Sequence, residues 1–130
     1  MANILIVEDD PDTAALCISL FQSAGLSTMT AVDGADGLRQ LRALPHPQCV
    51  VLDVDMPVLS GPEMAEQMLR HDAGEEYIPI VPVSSRENVG ELAVRVGTPY
   101  FLQKAMPGYA KDLLALVTRA LKERRAPGSE

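Results

Sequence analysis

The chain has 130 residues, room for one ordinary domain with one core, and 47% of them are apolar, which excludes a disordered tail. Eighteen acidic against eleven basic side chains leave a net charge of -7, which argues against direct nucleic-acid binding. No apolar run is long enough to span a bilayer, and the first residues lead straight into a strand-like stretch with no signal-peptide architecture, so a cytoplasmic protein is expected.

Ile4–Val7 is the first short apolar run and reads as a buried strand. Asp10-Pro11 then offers an N-cap followed by a proline at the first helical position. Leu16, Leu20 and Phe21 form the apolar stripe of that helix, and Gly25 closes it. Ser27–Ala31 is a weaker strand. A second helix is expected from about Ala35 to Leu44, with Leu38 and Leu41 inward and Pro45 and Pro47 ending it. Val50–Leu52 reads as a third strand. Pro62 opens a helix with Met64, Ala65, Met68 and Leu69 on one face. Ile78–Val83 reads as a fourth strand, although Pro82 inside it removes a ladder donor. The stretch from Arg86 to Val96 keeps Val89, Leu92, Ala93 and Val96 at helical spacing around Gly90, so a short helix is expected there. Tyr100–Leu102 is the fifth strand. A last helix runs from about Tyr109 to Arg124 and buries Leu113, Leu116, Val117, Ala120 and Leu121. Cys17 and Cys49 share no redox or metal-ligand spacing and read as small buried apolar residues of a reducing compartment.

Five strands alternating with five helices argue for an α/β fold, a parallel sheet covered on both faces. In such sheets reactive groups collect at the carboxyl ends of the strands. There the sequence places Glu8, Asp9 and Asp10 after the first strand and Asp53 after the third. It places Ser84 and Ser85 after the fourth strand and Lys104 after the fifth. Glu8, Asp9 and Asp53 packed together would repel one another and raise at least one pKa. A hard divalent cation with a lysine ammonium removes the conflict. Three negative charges then meet three positive ones, and the site can receive a phosphoryl group.

These pieces, ValGluAspAsp, AspValAspMetProValLeuSerGly, ValSerSer and PheLeuGlnLys, occur in this order at the strand ends, and the chain resembles a response-regulator receiver domain of two-component signalling, the CheY-like family. The resemblance covers essentially the whole length, with 1–125 as the receiver and 126–130 as a flexible tail or the start of a linker. It implies a doubly wound, flavodoxin-like sheet of strand order 2-1-3-4-5. It also implies that Asp53 is the phosphoacceptor, that Asp9 binds Mg2+ directly, and that Glu8 holds it mainly through water. The backbone carbonyl of Asp55 would be a further ligand. Ser84 and Lys104 would hold phosphoryl oxygens, and Phe101 would be the aromatic switch residue coupled to Ser84. Asp55 and Arg86, of opposite charge, would flank the path of hydrolytic water and tune the lifetime of the phosphoryl group. The donor would be a histidine kinase or phosphotransfer protein and the output a downstream protein target. A monomer or weak dimer is expected, labelled once rather than turning over substrate.

Two other readings of the same residues are a pseudo-receiver that binds proteins independently of phosphate and a haloacid-dehalogenase-like phosphatase using Asp53 and Asp55. The phosphatase motif ends a first strand, whereas Asp53 ends the third. A pseudo-receiver typically lacks an acidic residue, the acceptor or the lysine, and all are present here. The chain departs from the family pattern at Ala105, where proline is usual. A cis bond before a non-proline residue costs roughly 2.5–4 kcal/mol, so Lys104–Ala105 is expected to be trans. Glu8 to Asp10 can also act simply as helix-capping acids, a role expected of Asp10.

Overall fold

The apolar runs become the strands of one parallel sheet. In this computed structural model the structure describes residues 3–42, 47–53, 78–84, 90–91, 100–104 and 109–123. The elements are β1 (Asn3–Val7), α1 (Pro11–Ser23), β2 (Ser27–Ala31), α2 (Gly34–Arg42), β3 (Cys49–Asp53), β4 (Ile80–Ser84), β5 (Leu102–Gln103) and α3 (Tyr109–Glu123). The sheet order is β2-β1-β3-β4-β5, with every pair parallel. This is the doubly wound, flavodoxin-like order. The helix expected after Pro62, the Lys104–Ala105 bond and the side chains of Leu38 and Leu41 lie outside the described residues. So does most of the helix expected between Arg86 and Val96, of which Gly90 and Glu91 are described and helical.

The central strands are buried on both faces, which is why they read as unbroken apolar runs. Strand alternation sorts them into two cores. Leu5, Val7, Val50, Leu52, Ile80 and Ala31 share one face. Ile4, Ile6, Cys49, Val51, Val81 and Val83 share the other, beneath Cys17 and Phe21 of α1 and Leu113, Val117 and Ala120 of α3. Both cysteines are free and buried in this second core.

The ends of α1 are fixed by local chemistry. Asp10 is the N-cap, and its carboxylate accepts from the Asp12 N–H at 3.3 Å and from the Thr13 hydroxyl at 2.6 Å. These bonds, the Thr13 hydroxyl foremost, hold the Asp10 carboxyl below the usual range. At the other end Gly25 has φ +83°, a left-handed conformation that suits glycine. Its N–H bonds the Gln22 carbonyl and the Leu26 N–H bonds the Phe21 carbonyl, both at 3.0 Å, the paired bonds of a Schellman stop. In α2, Asp33 accepts from the Asp36 N–H at 2.8 Å, while the Asp36 carboxylate reaches back to the Val32 N–H at 3.2 Å.

Three expectations are corrected. Leu16 is not part of the buried stripe of α1 and is 55% exposed, because Cys17 and Phe21, four residues apart, take the inward positions. The fourth strand starts at Ile80 rather than Ile78, since Pro79 supplies only a carbonyl, to Val50 N–H at 3.0 Å, and it extends to Ser84. The fifth strand is Leu102–Gln103 rather than Tyr100–Leu102. The cause is Pro82. Along a parallel strand alternate residues point their N–H and C=O to the same neighbour. The Ser84 carbonyl accepts from Lys104 N–H at 2.8 Å, so Ser84 and Pro82 both face β5. Pro82 has no N–H to give, and the β5 ladder begins one step later, at Val83 opposite Leu102.

Replacing Leu113 by Ala should cost about 2–5 kcal/mol in urea unfolding, because its side chain is wholly buried between α3 and the sheet. Leu16→Ala should stay within about 0.5 kcal/mol of the parent.

Candidate functional site

The strand order reverses between β1 and β3, and the crevice at their carboxyl ends is where such folds hold reactive groups. β1 delivers Glu8, whose N–H bonds the Ala31 carbonyl at 3.0 Å and which is therefore held against the end of β2. β3 delivers Asp53 as its last residue, 3% exposed. β4 delivers Ser84, fully buried, and the Ser84 carbonyl in turn fixes the backbone of Lys104.

Lys104 closes the site. Its Nζ lies 2.9 Å from Glu8 Oε1 and 3.1 Å from Asp53 Oδ2. The other Glu8 oxygen accepts from the Asp10 N–H at 3.3 Å. Burial pushes the Glu8 carboxyl up, a shared hydrogen bond with Asp53 pushes it further, and Lys104 only partly offsets this, leaving it at about 7. For Lys104, burial works against the charge. The hydrogen bond to Glu8 and the charge of Asp53 outweigh it and hold the ammonium above its ordinary value.

Glu8, Asp9 and Asp53 offer carboxylate oxygens that all lie within 4.8 Å of one another, with Asp9 on the exposed side. Lys104 neutralises one of these three charges and leaves two. An all-oxygen donor set with a residual charge of minus two, open on one side, fits a small hard dication that keeps several waters. The structure thus brings together Glu8, Asp9, Asp53 and Lys104, and places Ser84 next to them through the Lys104 backbone. Phe101 stands outward, 47% exposed. Asp55, Arg86 and Ala105 lie outside the described residues.

Spacing gave no sign of Tyr109. It opens α3, and its hydroxyl bonds Cys17 close enough to the site that, after burial, the charges of Cys17, Glu8 and Asp53 raise its pKa. In the sequence it is only the first residue of a helix, because the contact depends on how α1 and α3 pack side by side.

Residues 4–118 match the response regulator receiver domain. The chain belongs to this family. It is 38% identical over 122 residues to Protein Rrf1 of Nitratidesulfovibrio vulgaris, covering 92% of this chain and 83% of that one. It is 30% identical over 126 residues to the transcriptional regulatory protein PrrA of Mycobacterium leprae, covering 95% of this chain. The chain spans about half the length of PrrA, 52%. Among solved structures, a CheY-like receiver domain protein of Methanospirillum hungatei superposes with a TM-score of 0.80 at 18% identity, covering 95% of each chain. TrrA of Thermotoga maritima, solved in complex with Mg(2+)-BeF, gives 0.77 at 21% identity, covering 92% of this chain and 99% of that one. Both likenesses show the fold. Receiver domains are signalling modules that bind Mg2+ at an acidic pocket and interact with histidine kinases and downstream effectors. Among the described residues no helix is long and apolar enough to cross a membrane.

The raised pKa of Glu8 sets a pH dependence. A group whose folded pKa, about 7, exceeds its ordinary 4.5 contributes stability below pH 4.5 that is lost as pH rises through 7. Lys104, also raised, loses its contribution only above its ordinary 10.5, outside this window. Metal-free protein should therefore be less stable at about pH 8 than at about pH 5.5, by on the order of 1–3 kcal/mol, as read by urea unfolding. Glu8→Gln should flatten that difference, and saturating Mg2+ should narrow it, because the metal takes deprotonated carboxylates.

Proposed function

We propose that this receiver takes a phosphoryl group from a histidine kinase or a phosphotransfer protein onto Asp53 and passes the signal to a downstream protein. The observation that carries this reading is the half-buried Lys104 ammonium bridging buried Asp53 and Glu8, with Asp9 in reach of the same point. The Asp53 carboxylate attacks phosphorus as the bond to the donor imidazole nitrogen breaks, and the imidazole leaves with the electron pair. Such a transfer asks mainly for positioning and charge neutralisation. Lys104 supplies both, steering the incoming oxygens and offsetting charge beside Asp53. Ser84 is the hydrogen-bonding partner for a phosphoryl oxygen, and Phe101 is the residue that reports it to the outer face. In this reading Asp9, Asp53 and the Asp55 carbonyl would hold Mg2+, with Glu8 holding it mainly through water; TrrA, which shares the fold, was solved in complex with Mg(2+)-BeF. Bound there, Mg2+ supplies electrostatic stabilisation of phosphoryl charge.

Asp55 and Arg86 are proposed to tune the lifetime of the phosphoryl group. The module is proposed to act in the cytoplasm as a monomer or weak dimer, without direct contact to nucleic acid, its two free buried thiols being at home in a reducing compartment.

With acetyl phosphate and Mg2+, intact-mass measurement should show a single phosphoryl addition that is absent in Asp53→Asn and absent with excess chelator. Lys104→Ala should label more slowly by on the order of a hundredfold. Labelling of Asp53→Asn at the parent rate would overturn the assignment, and continuous release of phosphate from small esters would favour a turnover phosphatase instead.

A further inference from the structure

The backbone on both sides of Phe101 is pinned. Just before it, the Tyr100 ring is buried, its hydroxyl donates to Glu123 Oε1 at 2.7 Å, and the Arg119 guanidinium lies over the ring at 5.2 Å. Arg119 Nε is itself 3.5 Å from the same Glu123 oxygen, so three residues near the end of α3 and the start of β5 close a triangle. Just after it, Leu102 is locked into the ladder opposite Val83. With both neighbours held, the Phe101 ring can change place only by rotating about its own side-chain bonds.

What the ring meets on the neighbouring helix then decides where it rests. Among the described residues of that helix, Gly90 faces the ring. A methyl group built on Gly90 would lie 3.4 Å from both Cε2 and Cζ of Phe101 and 3.9 Å from Cδ2, ordinary contact distances along one ring edge. The ring also lines a shallow groove with Leu102, Leu116 and Arg119, so its position shapes the surface between β5 and α3.

We infer that Gly90 is the positioning residue that leaves the Phe101 ring free to turn, and that its missing side chain sets how readily the outer face responds to events at Asp53. The inference rests on the phosphoacceptor reading for its role in signalling, though not for the contact itself. A methyl at position 90 adds contact in the outward position that is lost when the ring turns in. A contact of about one buried methylene shifts such an equilibrium roughly fourfold. Gly90→Ala should therefore tether the ring outward.

The test uses fluorine NMR of the full chain labelled with para-fluorophenylalanine. There are two phenylalanines, so two resonances arise, and wholly buried Phe21 serves as the internal reference. In Gly90→Ala the Phe101 resonance should show a larger solvent isotope shift. The midpoint of a beryllofluoride titration with Mg2+ should rise by up to about fourfold. The substitution also favours helix, so the titration is repeated in Phe101→Leu, where Gly90→Ala should leave the midpoint of intrinsic tyrosine fluorescence unchanged. An equal shift in that background, or a Phe101 resonance moved toward its beryllofluoride-bound position, overturns the inference. If the parent responds to beryllofluoride at neither resonance nor in fluorescence, it is the Asp53 reading that fails. The Gly90 inference is then decided by the isotope shift of the free protein, which must rise in Gly90→Ala for it to stand.

Discussion

The fold is arranged around one electrostatic problem: carboxylates brought to a single sheet edge must be kept there without a full complement of positive charge. Glu8 and Asp53 are nearly excluded from water, and one ammonium group lies within 3.1 Å of both. Removing the Lys104 ammonium would leave two buried carboxylates uncompensated, which is far more damaging than the net worth of the pair. The sheet topology serves this need. Lys104 is 96 residues from Glu8 in sequence, and the winding of the chain outward on both sides of β1 and β3 brings the two together.

The same arrangement explains why Glu8 and not a surface carboxylate carries the raised pKa. Asp10, two residues on, faces solvent, accepts from the Thr13 hydroxyl and the Asp12 N–H, and is held in its charged form. Glu8 instead faces the core edge and shares its surroundings with Asp53. Neighbouring acids in one short run thus divide the labour: Asp10 caps α1, while Glu8 faces the crevice at the strand ends. The sequence allows the capping role for all three, and burial sets Glu8 apart from exposed Asp9 and Asp10.

Much of this is legible in the amino-acid sequence alone. Strand ends bearing Glu8, Asp53, Ser84 and Lys104 stand out because parallel strands are buried on both faces, so a charged residue after an apolar run is conspicuous. Asp10-Pro11 and Gly25 announce the limits of α1 by backbone chemistry alone. What was not legible depends on partners distant in sequence. Leu16 has the composition of a core residue and the wrong angular position for it. Tyr100 looks like strand but falls short of the ladder, because that ladder waits for a residue of β4 able to donate. Tyr109 and Gly90 carry no motif at all, since their importance arises from what stands opposite them once the helices are in place.

The missing donor of Pro82 reaches beyond the site. By delaying the ladder it trims β5, one of the two edge strands, to two residues. An outer strand is a template on which a foreign chain can lay down further β-structure, and its hazard grows with the length of regular backbone it offers. A two-residue border gives an intruding strand too little register to hold. The residue that looked like a flaw in the fourth strand thus protects one flank of the sheet against edge-to-edge aggregation.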